Sequence, residues 1–155
     1  MALTLKAVPA ELEGQVLLRG DMNKRRDAKL TDIFRMTPHP STKQADQITL
    51  TWSDNPQRTQ AIQWRTSTEV PAGAVRYRKQ GETEWQEVQA RTEELDNIST
   101  VNDQLIHRHT ANLRGLTPFT DYEYEVGNGE EDGWQPGGTF KTATDKVIPF
   151  KFVYM

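Results

Sequence analysis

The chain has 155 residues, of which 35% are hydrophobic, and a formal net charge of −3 with acidic and basic residues interspersed. This length suits one domain with an extension, and the mean hydropathy of −0.78 predicts a thin core built from few elements. The balanced charge argues against nucleic-acid binding, and the absence of cysteine excludes disulfides, thiolate zinc sites and cysteine nucleophiles.

The N-terminal residues carry no apolar run of signal-peptide length, and no stretch approaches the roughly 20 apolar residues of a membrane span. The sequence therefore predicts no membrane span. It leaves open a cytoplasmic protein or a secreted one whose targeting segment is absent from this sequence.

Residues 1–37 form a polar N-terminal extension in which we expect one strand at most, around Val16. The segment 30–36 fits either a helical turn or an extended lead-in, and Pro38 and Pro40 end it. After Asp46 the pattern changes to short alternating runs separated by turn residues. Such runs are typical of an all-β sandwich.

The first alternating run places Ile48, Leu50 and Trp52 on one face of a strand. A later strand is expected to place Leu105, His107, His109, Ala111 and Leu113 on one face. The polar stretch 91–103 is predicted to be a long loop. The remaining predicted strands are 61–66, the hairpin pair 74–79 and 85–88, then 122–126 and 139–143. About seven strands result, the number expected of a two-sheet sandwich.

The stretch 113–127, with the sequence LRGLTPFTDYEYEVG, resembles the corner between strands E and F of fibronectin type III domains. The resemblance implies that Tyr122 packs inward and bonds to the backbone through its hydroxyl, as in a tyrosine corner. Trp52 and Tyr77 also lie where such domains place core aromatic residues. We therefore expect an all-β, two-sheet fibronectin type III-like (immunoglobulin-like) sandwich with an N-terminal extension.

The amino-acid sequences of several predicted strands narrow the resemblance to one family. The runs ITLTW at 48–52 and WRT at 64–66 are similar to the start of the N-terminal domain of purple acid phosphatases, and His109, GL at 115–116 and YEYEVG at 122–127 are similar to its end. The resemblance extends over about residues 38–154. It implies an extension (1–37), a sandwich (38–144), and a linker with the start of an absent catalytic domain (145–155).

What this resemblance implies is a non-catalytic scaffold or interaction domain. Its parent would be a metallophosphoesterase that hydrolyses phosphate esters at a two-metal centre. The family's metal ligands lie in the part absent here, so no catalytic, cofactor-binding or metal residue is assigned to this chain. The implied partner is the protein's own catalytic domain, and the implied parent is secreted or periplasmic.

The run 149–154 resembles the first strand of that catalytic domain, and the strand-like segment 148–155 would place Phe150, Phe152 and Tyr154 on one side and Val153 on the other. An exposed apolar strand is a template for pairing. The sequence therefore predicts that this segment, when it stands alone, is disordered, folds back, or self-associates by pairing with the sheet edge of another copy.

Three sequence patterns could bind a ligand or carry a modification, and each also has a structural explanation. His107 and His109 share one side of a strand and could chelate zinc with a third ligand, although the structural reading is that His109 packs within the sandwich. His39 lies apart from them, between two prolines. The acidic turn 130–133 could bind calcium, but a solvated hairpin tip suits it better, and Asn97 begins a glycosylation sequon.

The four tryptophans suggest an alternative function, that of a carbohydrate-binding or adhesion β-sandwich, because sugars stack on exposed aromatic rings. Trp52 and Trp64 share faces with aliphatic residues and are expected in the core. Trp85 and Trp134 are then the candidates for a sugar-binding surface.

Overall fold

The computed structural model describes residues 16–21, 29–128, 130, 133–147 and 149. In this part of the chain there are ten strands: β1 (Val16–Asp21), β2 (Lys29–Arg35), β3 (Asp46–Thr51), β4 (Thr59–Ser67), β5 (Ala74–Lys79), β6 (Gln86–Gln89), β7 (Arg91–Asp96), β8 (Leu105–Arg114), β9 (Asp121–Gly127) and β10 (Gln135–Lys141). They form a two-stranded sheet, β1-β2, and two antiparallel four-stranded sheets, β3-β4-β8-β7 and β10-β9-β5-β6. The predicted all-β, two-sheet sandwich is confirmed. None of the described residues belongs to a helix long and apolar enough to cross a bilayer.

The core lies between the two four-stranded sheets, as the alternation along the strands predicts. In β9 the side chains of Tyr122, Tyr124 and Val126 are buried, while those between them are only partly covered. Each large apolar side chain buried in this way stabilises the fold by roughly 1.5–3 kcal/mol. The cluster comprises Ile62, Trp64, Val75, Tyr77, Ala111, Leu113, Leu116, Tyr122, Tyr124 and Val126. The prediction that Trp64 and Tyr77 are core residues is confirmed, and burial raises the pKa of the Tyr77 phenol.

The prediction of a long loop over residues 91–103 is wrong for its first half, which forms β7. This strand pairs along its whole length with β8. Its side chains are mostly exposed, because β7 lies at the edge of its sheet and only Thr92 makes a buried contact. Charged residues are common on such edges, where they prevent pairing with other chains. The polarity that indicated a loop is thus the polarity of an edge strand.

The prediction that Trp52 lies in the core is also wrong, because its side chain is 69% exposed. Strand β3 ends at Thr51, and the register between β3 and β4 shifts between Asp46 and Thr49, where Gln47 has a φ of 49°. Trp52 therefore falls just past the last paired residue. Leu105, predicted to share a face with Ala111 and Leu113, is 48% exposed; it is the first residue of β8 and precedes the part of β8 that pairs with β4.

The N-terminal extension contains two paired strands, β1 and β2, where one strand at most was expected. Its segment 30–36 takes the extended of the two predicted forms. After β2 the chain is bonded to the loop at 97–103, since the Arg35 N–H donates to the Ser99 carbonyl at 2.8 Å and the Val101 N–H donates to the Arg35 carbonyl at 2.9 Å. The end of the extension is thereby fixed to the sandwich.

A buried arginine in β4 joins three segments on the outer side of the β3-β4-β8-β7 sheet. The Arg65 side chain is 7% exposed; its Nε donates to Asp46 at 2.7 Å and its Nη1 to Asp103 at 2.9 Å. Its Nη2 also donates to the His39 carbonyl at 3.1 Å. The hydrogen bond to Asp46 raises the pKa of Arg65 further. Removing one partner of such a pair typically costs about 3–5 kcal/mol.

The C-terminal prediction falls mostly outside the described residues. The last strand of the sandwich, β10, spans Gln135–Lys141, so it begins four residues before the predicted 139–143 and ends two residues before it. Of the predicted strand at 148–155, only Pro149 belongs to the described part of the chain.

Candidate functional site

The corner between β8 and β9 is held by the predicted tyrosine. The Tyr122 hydroxyl accepts a hydrogen bond from the Thr117 N–H at 2.9 Å, and its ring stacks on Phe140 with centroids 5.3 Å apart. The side chain is 4% exposed. The tyrosine corner predicted from the sequence is confirmed, and it fixes the loop at residues 115–120.

The chain leaves the sandwich beside this corner along a short segment, residues 142–144, which we call the exit segment. Backbone bonds hold it from two loops, because the Ala143 N–H donates to the Pro56 carbonyl at 2.9 Å and the Phe119 N–H donates to the Ala143 carbonyl at 3.1 Å. Side chains add further bonds: Gln57 Nε2 to the Thr144 carbonyl, the Thr120 N–H to Thr142 Oγ1, and Thr142 Oγ1 to the Thr117 carbonyl. The direction in which the chain departs is therefore fixed.

An aromatic residue at this end is exposed in a strained conformation. Phe119 has a φ of 52° and a side chain that is 55% exposed, with the Lys141 ammonium 4.3 Å from its ring centroid. A bulky residue at positive φ costs about 1–3 kcal/mol, and such strain is concentrated at functional positions. The exposed ring contributes little to the core, so the fold alone does not explain why this conformation is occupied by phenylalanine.

Trp52 lies at the same end of the sandwich, because β3 ends there and leads into the loop that carries Pro56. We use the name exit surface for Trp52, Phe119 and the exit segment. Two largely exposed aromatic side chains thus lie at the end of the sandwich from which the chain departs.

The buried histidine, His109, is neutral and fully bonded. Thr66 Oγ1 donates to the Ser67 carbonyl at 3.1 Å, so we assign the His109 Nε2–H as the donor to Thr66, at 2.8 Å. The Thr92 hydroxyl then donates to Nδ1, also at 2.8 Å. The ring stacks on Trp64 with centroids 5.2 Å apart. Burial, and to a lesser extent the charge on a neighbouring histidine, lowers the pKa of His109 from 6.5 to about 4.

The structure places the rings of His107 and His109 edge to face, with centroids 6.2 Å apart. Each ring forms hydrogen bonds within the protein. His107 Nδ1 lies 2.8 Å from the Val70 carbonyl, and His39 lies just after the extension, where its carbonyl accepts a hydrogen bond from Arg65. Across the described ranges, no three His, Asp or Glu side chains are grouped as they would be around a metal ion. The reading of His109 as a packed, bonded core residue is confirmed by its geometry.

The described geometry adds no support for the calcium site at 130–133 or for glycosylation at Asn97. The acidic turn at 130–133 lies partly outside the described residues, since Glu131 and Asp132 are not among them. Asn97 begins the turn after β7, where its N–H donates to the Gln104 carbonyl at 2.7 Å.

The two tryptophans proposed as a sugar-binding surface are both partly buried and covered by arginine. The Arg76 guanidinium lies 5.0 Å from the Trp85 ring centroid and 4.9 Å from that of Trp134, and the Arg78 guanidinium lies 4.1 Å from Trp85. Glu125 in turn pairs with Arg76. Because each ring already stacks with a cation, the arrangement favours a structural ladder over a free stacking platform for sugars.

Sequence reasoning did not single out Phe119 or Arg65. Phe119 follows Pro118 in a turn, where a position of positive φ normally carries glycine, and a Pro-Phe turn is the signal that could have found it. Arg65 was visible only as one residue of the WRT run, because its two carboxylate partners lie 19 and 38 residues away.

The sheet orders β3-β4-β8-β7 and β10-β9-β5-β6, together with the tyrosine corner, define a β-sandwich of the immunoglobulin and fibronectin type III class. Residues 45–142 match the family described as the purple acid phosphatase N-terminal domain, and the chain belongs to that family. A redesigned β-sandwich protein of known structure is similar at 15% identity, with a TM-score of 0.41, over 66% of this chain and 96% of the other. No curated protein matches the chain.

Proposed function

We propose that this domain is the non-catalytic N-terminal scaffold of a purple acid phosphatase-like metallophosphoesterase, and that it packs against the catalytic domain through the exit surface. The observation that carries the proposal is the exposed, strained Phe119 beside an exit segment whose backbone is bonded to two loops. Membership in the family supports it, because the family is defined as the N-terminal part of these phosphatases.

A fixed departure of the chain favours docking. If residues 142–144 were a flexible linker, the following domain would sample many orientations and docking would cost more entropy. With the segment bonded to the sandwich, that domain begins in one direction, close to Trp52 and Phe119. Burying each aromatic side chain would contribute roughly 1.5–3 kcal/mol to the contact between the domains.

We also propose the activity of the parent protein. The parent would hydrolyse phosphate esters at a two-metal centre in the catalytic domain, and it would be secreted or periplasmic. The sandwich would supply rigidity and one wall of the contact. Self-association through residues 148–155 remains a second prediction, for a chain in which that segment has no catalytic domain to join.

The test uses the two-domain protein, followed by calorimetric unfolding. We expect the wild type to unfold with coupled domains, and the double variant Trp52→Ser, Phe119→Ser to unfold in two separate transitions. Val101→Ser is the matched control, because Val101 is 52% exposed but belongs to the loop before β8, at the opposite end of the sandwich. Independent unfolding of the domains in the wild type would contradict docking.

A second measurement addresses the absence of catalysis. The 155-residue chain, incubated with divalent metal ions and a generic phosphomonoester, is expected to show no turnover above the metal-only reaction. Turnover that followed the protein through purification would refute the scaffold role.

A further inference from the structure

A polar pocket of about 510 Å³ lies on the outer face of the β3-β4-β8-β7 sheet, away from the exit surface. The end of the N-terminal extension and the loop at 97–103 form its rim. Three arginines line it, Arg35, Arg65 and Arg108, together with neutral donors that include Asn97 and Thr100. A concentration of arginines around one pocket is the usual basis of oxyanion recognition.

One of these arginines has a buried donor without an acceptor. Arg108 Nε is inaccessible to solvent and makes no hydrogen bond to any described residue. A buried, unsatisfied donor costs about 1–3 kcal/mol, and more when it belongs to a charged group. Native proteins rarely leave such a group unpaired, so an acceptor is expected at this position.

The carboxylates near the pocket are already engaged. Arg108 lies directly across from Arg65 on β4 and from Glu93 on β7. Asp46 and Asp103 both bond to Arg65, and Glu93 bonds to the Arg91 guanidinium at 2.6 Å, so none of these carboxylates is bonded to Arg108.

Arg35 supplies a second cation. Its Nε donates to Thr100 Oγ1 at 3.2 Å, and among the described residues no carboxylate forms an ion pair with it. The pocket therefore combines the positive charges of Arg35 and Arg108 with the hydroxyl of Thr100 and the amide of Asn97. The pocket is rich in donors, and its three arginines, set against Asp46 and Asp103, leave one positive charge in excess.

We propose that this pocket binds a small oxyanion, a phosphate, sulfate or carboxylate group, with Arg108 as its principal ligand and Arg35 as the second cation. The Nε–H and an Nη–H of one guanidinium form a planar fork that matches two oxygens of such a group. Binding requires the Arg108 guanidinium to turn its Nε–H, which solvent does not reach in this structure, into the pocket, where the anion supplies the missing acceptor. The anion also bridges the extension to the sheet, which links anion binding to the docking of residues 35–41.

The test is a titration of the 155-residue chain with inorganic phosphate, sulfate or acetate at constant ionic strength, followed by the arginine Nε–H resonances. We expect the Arg108 Nε–H resonance to shift in a saturable manner. Arg108→Gln should weaken the apparent affinity at least tenfold, judged from backbone amides around the pocket, and Arg108→Lys should weaken it because the fork is lost. Arg58→Gln, a change at an exposed arginine that does not line the pocket, should leave it within about twofold.

Comparison of the three anions also identifies the class of oxyanion that the pocket binds. Saturation by phosphate and sulfate alone identifies a tetrahedral ligand, and saturation by acetate identifies a carboxylate. Linear shifts in the wild type, or equal affinity in Arg108→Gln, would overturn the proposal and assign the missing acceptor to water. Binding that appears only in Glu93→Gln would also overturn it, because Glu93 would then be the resting partner of Arg108.

Discussion

The buried imidazole of His109 makes the stability of the sandwich depend on pH. Its ring is fully buried, is held neutral by Thr66 and Thr92, and has a pKa lowered from 6.5 to about 4. Between these two values the unfolded chain binds a proton that the folded chain does not. The stabilisation is therefore complete above about pH 6.5 and is lost as the pH falls to about 4, a change of about 3 kcal/mol in the free energy of unfolding.

Urea unfolding between pH 4 and pH 8 measures this dependence. We expect the free energy of unfolding of the wild type to fall by about 3 kcal/mol more than that of His109→Gln over this range, because the variant has no imidazole at this site to titrate. His39→Gln is the control, since the His39 side chain is exposed, just after the extension. Parallel curves for wild type and His109→Gln, or an NMR titration of His109 near pH 6.5 in the folded protein, would refute the reasoning.

Three further predictions concern the framework around the site. Gly73→Ala should destabilise the chain by about 1–3 kcal/mol in urea unfolding, because a Cβ there would lie 2.7 Å from both Trp64 and His109; an unchanged midpoint would show that the loop yields freely. Tyr122→Phe should cost about 1 kcal/mol through the lost bond to Thr117, and no measurable loss would remove the hydroxyl from the account. Phe119→Gly should leave the melting temperature of the isolated chain unchanged or higher, because glycine relieves the strain at φ 52°, whereas a clear decrease would show that the ring supports the fold.

The sequence predicted the fold where local pattern and buried face coincide. In β9, alternation placed Tyr122, Tyr124 and Val126 on one side, and this side does face the core. The tyrosine corner was predicted from the resemblance of residues 113–127 to a corner of fibronectin type III domains, and this resemblance lies within one short continuous stretch of sequence. Alternation along β4 likewise placed Trp64 in the core, where it is buried.

The failures arose where an edge or a strand end decides exposure. Alternation continued to Trp52, but β3 stops pairing one residue earlier. The strand β7 was missed because an edge strand needs few apolar residues, and its pairing with β8 depends on a partner beyond the local pattern.

The components of the candidate sites were less predictable than the fold. The exit surface combines Trp52 with Phe119, which are 67 positions apart, and the pocket brings Arg35 together with Arg108 across the sheet and the extension. A repeating pattern within a short stretch of sequence does not predict which distant residues share a site. They follow from the topology, which the sequence specified only as a class.

Hydroxyl-radical footprinting with mass spectrometry tests the central claim most directly, by comparing the isolated chain with the two-domain protein. The account predicts that Trp52 and Phe119, both largely exposed in the sandwich, are oxidised several-fold more slowly when the catalytic domain is present. Val101, at the far end, should be oxidised equally in both. Equal oxidation of Trp52 and Phe119 in the two proteins would contradict docking through the exit surface.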